Sequence, residues 1–258
     1  KSEIIQNTKS NGYIVLNADD SFYKLHRTIA LKKNLKVISF SIKNKKSNIL
    51  FKNIIKKGKY FSINIEYNNL KKNFLIKNNF QSNIYNVLGA LAVMSIYLNI
   101  FKLNKNIFLN FEIPKGRGDI SRIKIMDKNI NLIDESYNSN PLSLQSAILN
   151  FEKIETKKSK KYLLIGDMLE LGKHSKKLHK SIAPVINKTK INKVFVKGNH
   201  AKLIFQKLSN SKRGSVLYNK SQIIELIRKD LNDNDYLMIK ASNATGFNKI
   251  VKDLKGFI

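Results

Sequence analysis

The residues Ile133-Asp134-Glu135-Ser136-Tyr137-Asn138-Ser139-Asn140-Pro141 place two adjacent acids, a tyrosine and two asparagines between an apolar strand and a helix. Polar side chains gathered at a strand-to-helix turn are where open α/β sheets build binding sites. The strand is Asn131-Leu132-Ile133, and the helix shows Leu144, Ala147, Ile148 and Phe151 at helical spacing. The same turn also reads as plain structure, since Asn140 is a good cap residue and Pro141 suits the first helical position. One helix later a second strand, Leu163-Leu164-Ile165-Gly166, runs into Asp167-Met168-Leu169-Glu170-Leu171-Gly172, again an acid-bearing turn.

These acids stand out against the composition. The 258 residues contain 48 Lys+Arg and 18 Asp+Glu, a formal charge of +30. Such a charge suits a nucleic acid or anionic surface, but the lysines are spread through nearly every segment, and no basic block with interleaved aromatics points to nucleic acid as partner. There is no cysteine, which excludes disulfides and thiolate metal sites. Four histidines, none paired at i,i+4, suggest no zinc site. The most apolar run, 84–100, is broken by Asn86, Gly89, Ser95 and Asn99 and is too interrupted for a membrane span. With no secretory signal in view, a cytoplasmic, monomeric protein is expected.

The elements that must position these residues form an α/β protein in two parts. Residues 1–5 read as helix, 12–20 as an apolar strand ending in polar residues, 22–33 as helix and 36–40 as strand, the βαβ pattern of a mostly parallel sheet. Residues 49–76 turn to shorter alternating runs, read as an antiparallel meander on the edge of that sheet. A helix over 83–100, apolar nearly all round, should be buried, with Asn83 and Asn86 at its entrance. Asn83 either caps this helix or offers its amide to a ligand. Pro114, Gly116 and Gly118 mark a boundary, dividing the chain into 1–113 and 114–258. In the second part a hairpin (122–125, 131–133) precedes strands at 162–165, 194–196, 215–218 and 236–239. Helices are expected at 222–231 and from about 245, the latter carrying Phe247, Ile250, Val251 and Leu254 on one face. Pro184 should end or kink the helix near His179. This is a doubly wound, Rossmann-like domain.

Gly166 to Lys173 is superficially like the phosphate loop G-x-x-x-x-G-K-[ST]. Its glycines are one residue too far apart, and His174 replaces the hydroxyl residue that holds magnesium. No other stretch qualifies.

The two motifs together carry a resemblance. A D-D-S-Y-N-A-N-P turn followed by G-D-M-x-E-L-G and a downstream histidine, here His179, is similar to the Mur ligases of peptidoglycan synthesis. It most resembles the branch that joins D-alanyl-D-alanine to UDP-N-acetylmuramoyl-tripeptide. The resemblance implies an ATP-dependent, ADP-forming amide ligase using ATP and Mg2+. ATP phosphorylates the tripeptide carboxylate, and the amine of D-alanyl-D-alanine displaces phosphate. It further implies the tail of a central ATPase domain followed by a Rossmann-like C-terminal domain. The family's phosphate loop would precede Lys1, so the chain alone is expected to be inactive. The amine substrate would be brought to the central domain by closure of the third domain, with the turn at 134–140 facing the cleft between them.

Residue roles follow by motif. Lys1 matches a lysine that the family carbamylates to help hold magnesium, giving it a catalytic and metal-binding role; the competing reading is an idle terminal lysine. Asn83 and Asn86 match a segment near the adenine of ATP, with Ser82 and Phe80 where histidine and glycine are usual. Arg117 matches an arginine that approaches the nucleotide phosphates, a task its forked guanidinium suits, or is a solvated linker residue. Glu135 stands where a second aspartate faces the ATP ribose. Tyr137, Asn138 and Asn140 are candidates for substrate contact. Lys240-Ala241-Ser242-Asn243 matches K-G-S-R, so that Lys240, with Ser242 beside it, could bind the dipeptide carboxylate. Alternatives are another Mur-type or folylpolyglutamate-type ligase, or a non-catalytic nucleotide-binding module.

Overall fold

The computed structural model describes residues 2–111, 114–156 and 158–256. Lys1, expected to be catalytic and metal-binding, lies outside the described residues. The chain divides into two compact units, Lys1–Glu112 and Ile113–Ile258.

The first unit runs α1 (Ser2–Asn7), β1 (Tyr13–Asn17), α2 (Tyr23–Lys32), β2 (Lys36–Ser41), β3 (Ile49–Lys57), β4 (Tyr60–Tyr67), β5 (Leu70–Ile76) and α3 (Gln81–Tyr97). Its sheet has the order β1-β2-β3-β4-β5. Because β3 pairs parallel with β2, the antiparallel meander continues the sheet instead of standing apart from it. The β4–β5 hairpin closes through Asn68 and Asn69, both at positive φ, as a two-residue turn requires. One stripe of α3, with Ile84, Val87, Leu88, Leu91 and Ala92, packs on Ile49, Ile63, Ile65 and Phe74. The helix is not buried all round: Val93 and Tyr97 are exposed, and it ends at Tyr97, short of residue 100.

The second unit runs β6 (Asp119–Ile125), β7 (Lys128–Glu135), α4 (Pro141–Glu152), β8 (Lys161–Gly166), α5 (Ser175–Lys180), α6 (Ala183–Asn187), β9 (Lys193–Lys197), α7 (Ala201–Lys207), β10 (Arg213–Val216), α8 (Lys220–Asp230), β11 (Tyr236–Lys240) and α9 (Phe247–Lys255). The strand order is β10-β9-β8-β11-β7-β6, parallel except for β6 at the edge. Alternate residues of each strand face opposite sides. Leu163, Ile165, Val194 and Val196 meet α4, α6 and α7, while Leu164, Phe195, Leu237 and Ile239 meet α8 and α9. Helices therefore cover both faces, and every residue of β8 is buried. Pro184 sits in the first turn of α6, so the chain breaks between α5 and α6.

Several lysines serve the fold directly. Lys161 Nζ donates to Glu152 O (2.6 Å), Lys128 Nζ to Leu231 O (2.8 Å) and Lys212 Nζ to Thr189 O (2.7 Å), each satisfying a carbonyl at or just past a helix end. Part of the large positive charge is thus spent on helix termini.

Candidate functional site

Parallel pairing puts Lys240 opposite Glu135 and Ile165, so the carboxyl ends of β7, β11 and β8 lie level. Three loops leave the sheet there. In the first, Asp134 is buried and accepts hydrogen bonds from the Ser136 N–H (3.0 Å) and Ser136 Oγ (2.6 Å). The segment 116–118 lies flat against this turn: Gly118 N–H donates to Asp134 O (2.7 Å) and Tyr137 N–H to Gly116 O (3.1 Å). Both glycines have positive φ, and a Cβ on Gly116 would stand 2.9 Å from Tyr137 Cβ. Between them Arg117 holds its guanidinium 4.4 Å from the centre of the Tyr137 ring, a cation–π contact. Arg117, Glu135 and Tyr137 are therefore brought together, although they come from a linker and a strand end.

Asn140 caps α4, accepting from Ser143 N–H (2.9 Å) while Ser143 Oγ accepts from Asn140 N–H (3.0 Å). Its side chain is occupied by helix capping. Tyr137 and Asn138 are exposed.

Lys240 is almost fully buried, and its Nζ binds Glu135 Oε2 (3.1 Å) and Asn138 O (2.8 Å). Burial pushes its pKa down, Glu135 opposes that, and Arg117 adds to it. The lysine expected to meet a substrate carboxylate is engaged within the turn. The ammonium acts as a strut inside the turn. Ser242 is likewise buried: its Oγ donates to Ser139 O (3.2 Å) and accepts from Leu169 N–H (2.9 Å), joining all three loops.

The second motif is anchored in the same way. Asp167 accepts from the backbone N–H groups of Asn199 (3.1 Å), His200 (3.0 Å) and Ala201 (2.7 Å). Gly198, at φ +138°, permits this approach, since a Cβ there would lie 2.3 Å from Asp167 Oδ1. His179 is fully buried. Its Nε2 accepts from Met168 N–H (3.0 Å), which makes Nδ1 the donor to Ser175 O (2.8 Å). Burial, with His200 nearby, pushes the His179 pKa down against the pull of Asp167. Gly166 is explained by packing: a Cβ would meet Phe247 at 2.5 Å and Ala241 Cβ at 2.6 Å.

The three loops enclose a pocket of about 560 Å³ whose walls include Tyr137, Asn138, Leu169, Glu170, Ser242 and Asn243. It offers amides, a carboxylate and a phenol beside the apolar Leu169, a lining suited to a polar ligand with some apolar surface. Sequence reading missed Leu169 and Asn243 as pocket residues, because only the pairing of β7, β11 and β8 brings their loops together.

In the first unit Asn83 does not cap α3, whose cap position is Phe80. Its amide donates to Asn78 O (3.4 Å), and Asn86 is exposed one turn on. The sequence reading also passed over Asp19, after β1. It accepts from Ser41 Oγ (2.6 Å), Ile42 N–H (2.7 Å) and Tyr85 Oη (3.0 Å). Burial alone would raise its pKa, yet these hydrogen bonds hold it below the usual value, while burial and Asp19 push Tyr85 up to about 12. Among the described residues no three His, Asp or Glu side chains converge as metal ligands. They do not by themselves fit a magnesium site. No described helix is long and apolar enough to cross a membrane.

The family model "Mur ligase middle domain" matches residues 1–94, and "Mur ligase, glutamate ligase domain" matches 121–243. The chain belongs to the Mur ligase family. It is 31% identical over 260 residues to a UDP-N-acetylmuramoyl-tripeptide--D-alanyl-D-alanine ligase from Buchnera aphidicola subsp. Baizongia pistaciae, covering 98% of this chain and 53% of that protein. The Rickettsia prowazekii ligase of the same name is 26% identical over 253 residues, 97% of this chain and 55% of the relative. This Mur ligase chain thus spans about half the length of the curated relatives it matches. In fold it is similar to MurF from Acinetobacter baumannii, with a TM-score of 0.79 at 18% identity, covering 99% of this chain and 54% of that one. Thermotoga maritima MurF in complex with ADP gives the same TM-score and identity, covering 99% and 56%.

Proposed function

We propose that this Mur ligase chain is the portion of an ATP-dependent ligase that handles nucleotide and amine, joining D-alanyl-D-alanine to UDP-N-acetylmuramoyl-tripeptide. The observation that carries this reading is the convergence of the two motif turns and the 240–246 loop on one pocket. In the reaction, the γ-phosphate of ATP passes to the terminal carboxylate of the tripeptide. The amine nitrogen then attacks the acyl carbon, the bond from that carbon to the phosphate oxygen breaks, and the nitrogen loses a proton. Arg117, fixed over Tyr137, supplies a forked cation for nucleotide phosphates. Glu135, half-buried and held by Lys240, presents a carboxylate to the ribose. Tyr137, Asn138 and Ser242 serve the amine side. Such catalysis is largely alignment and charge neutralisation. Magnesium would neutralise phosphate charge. The described residues do not make up its site.

The test is ADP release by the natural full-length polypeptide in the presence of tripeptide and D-alanyl-D-alanine, each omitted in turn. Release that requires both supports the reading. Release with folate and glutamate instead would replace it with the folylpolyglutamate-type alternative. The 258-residue chain alone, which contains no phosphate loop, should release none.

A further inference from the structure

With the Lys240 ammonium committed to Glu135 and Asn138, a substrate carboxylate needs another partner at these strand ends. A smaller pocket of about 280 Å³ adjoins the larger one and shares Leu169 and Ala244 with it; Lys197, Asn199, Thr245 and Phe247 complete its walls. Lys197, the last residue of β9, is half-buried, with its Nζ 5.4 Å from the centre of the Phe247 ring. Among the described residues no carboxylate lies within ion-pair distance of it. Asp167 also faces this pocket, but its oxygens already accept three backbone N–H groups. The other lysine of the two pockets, Lys249, is exposed on the first turn of α9, where water screens its charge.

We infer that the smaller pocket seats the carboxyl-terminal residue of the incoming dipeptide, with Lys197 as the partner of its carboxylate. This rests on the ligase reading above. Leu169, Ala244 and Phe247 offer apolar surface to small methyl side chains, and Asn199 and Thr245 offer a donor and acceptors to the peptide group. The shared wall of Leu169 and Ala244 then leads the amine toward the larger pocket, where Asn138 stands. A cation held half out of water discriminates a carboxylate from its neutral amide more sharply than a solvated one does.

The test titrates D-alanyl-D-alanine and D-alanyl-D-alaninamide, which lacks the carboxylate, into the 258-residue chain by calorimetry. The wild-type chain should prefer the dipeptide by about tenfold or more, the scale of a charge-assisted contact. Lys197→Met should erase that preference while leaving the amide's affinity unchanged, and Lys197→Arg should retain part of it. Circular dichroism of both variants checks the fold. An unaltered preference in Lys197→Met overturns the assignment and leaves the ligase reading intact. No dipeptide binding to the wild-type chain also overturns it. The ligase reading falls with it only if the full-length polypeptide shows no dipeptide-dependent ADP release.

Discussion

In the turn after β7 the first acid, Asp134, is closed off by Ser136 two residues on, and the second, Glu135, reaches Lys240 on the neighbouring strand. In the turn after β8 the first acid, Asp167, is taken by three backbone N–H groups of the 199–201 segment, and the second, Glu170, is exposed on the pocket wall at φ +62°. The two turns use one scheme. The carboxylate nearest the strand satisfies backbone donors that the turn leaves unpaired, and the one further out is free for chemistry or for a side-chain partner. Backbone N–H groups at a strand end must find acceptors, and the nearest carboxylate is best placed to supply one. The difference lies in the partners. Asp134 accepts from the N–H and hydroxyl of Ser136 in its own turn and stands 3.5 Å from the Lys255 ammonium on α9, whereas Asp167 is held by backbone N–H groups at the start of α7.

The comparison therefore predicts unequal costs. Asp167→Ala leaves three backbone donors without their acceptor and should destabilise the unit by about 3 kcal/mol. Urea unfolding of the 258-residue chain would measure it. A loss below about 1 kcal/mol would mean that water replaces the carboxylate and that the second turn is no better anchored than the first.

The second turn has a further anchor in the buried His179, as the first has one in the Lys240 ammonium. His179→Phe keeps an aromatic ring but strands the Met168 N–H, at a cost of about 2 kcal/mol. The imidazole also makes the anchor sensitive to acid. Burial lowers its folded pKa below the ordinary imidazole value of 6.5, so the unfolded chain takes up the proton more readily. The stabilisation is complete above pH 6.5 and is lost as pH falls through the lowered folded value. Comparing pH-dependent melts of wild type and His179→Phe isolates this component. An identical slope between pH 7 and pH 5 in both would show that His179 does not titrate there.

Much of this was legible in the sequence where the signal is local. The Asn140-Pro141 start of α4 and its buried stripe of Leu144, Ala147, Ile148 and Phe151 followed from capping and periodicity alone. So did the alternation of strands and helices in the second unit. The readings that shifted depend on partners distant in sequence. Lys240 looked like a ligand because a strand-end lysine beside a serine is indistinguishable, in sequence, from one folded back onto Glu135 some hundred residues earlier. For Asn83 the competing reading as a cap arose because the helix start was placed two residues late; Gln81 begins the helix without any side-chain cap. Leu169 and Asn243 lay inside the motifs that were singled out, but at the unspecified and the substituted positions, so nothing marked them as one pocket wall before the strand order is known.

Within the first turn the exposed and buried asparagines should separate. Asn138 lines the pocket and donates no side-chain hydrogen bond to the described residues, whereas Asn140 is occupied as a cap. In the full-length enzyme Asn138→Ala should lower the ligation rate about tenfold, or about 1.4 kcal/mol of barrier, with stability changed by less than about 0.5 kcal/mol. Asn140→Ala should do the reverse, costing about 1 kcal/mol of stability with near-normal turnover. A shifted melt with normal turnover in Asn138→Ala would return the whole turn to structure.

The smallest effect separates the two turns most cleanly, because it carries the opposite sign. Ser139 lies between those asparagines, nearly fully buried, and its Oγ has no hydrogen-bond partner among the described residues. Its backbone carbonyl is engaged by Ser242, so the residue is held in place by its main chain while the hydroxyl contributes nothing to that contact. A buried hydroxyl without a partner costs free energy, and the family's turn places alanine at this position. Ser139→Ala should therefore stabilise the chain, by about 1 kcal/mol, without altering the ligation rate of the full-length enzyme. In the second turn no removal of a polar group should do this, because Asp167 and His179 are both fully engaged. Urea melts of Ser139→Ala beside Asp167→Ala would show the two signs together. A destabilised Ser139→Ala would mean that the hydroxyl has a partner in solution and that the first turn is held as tightly as the second.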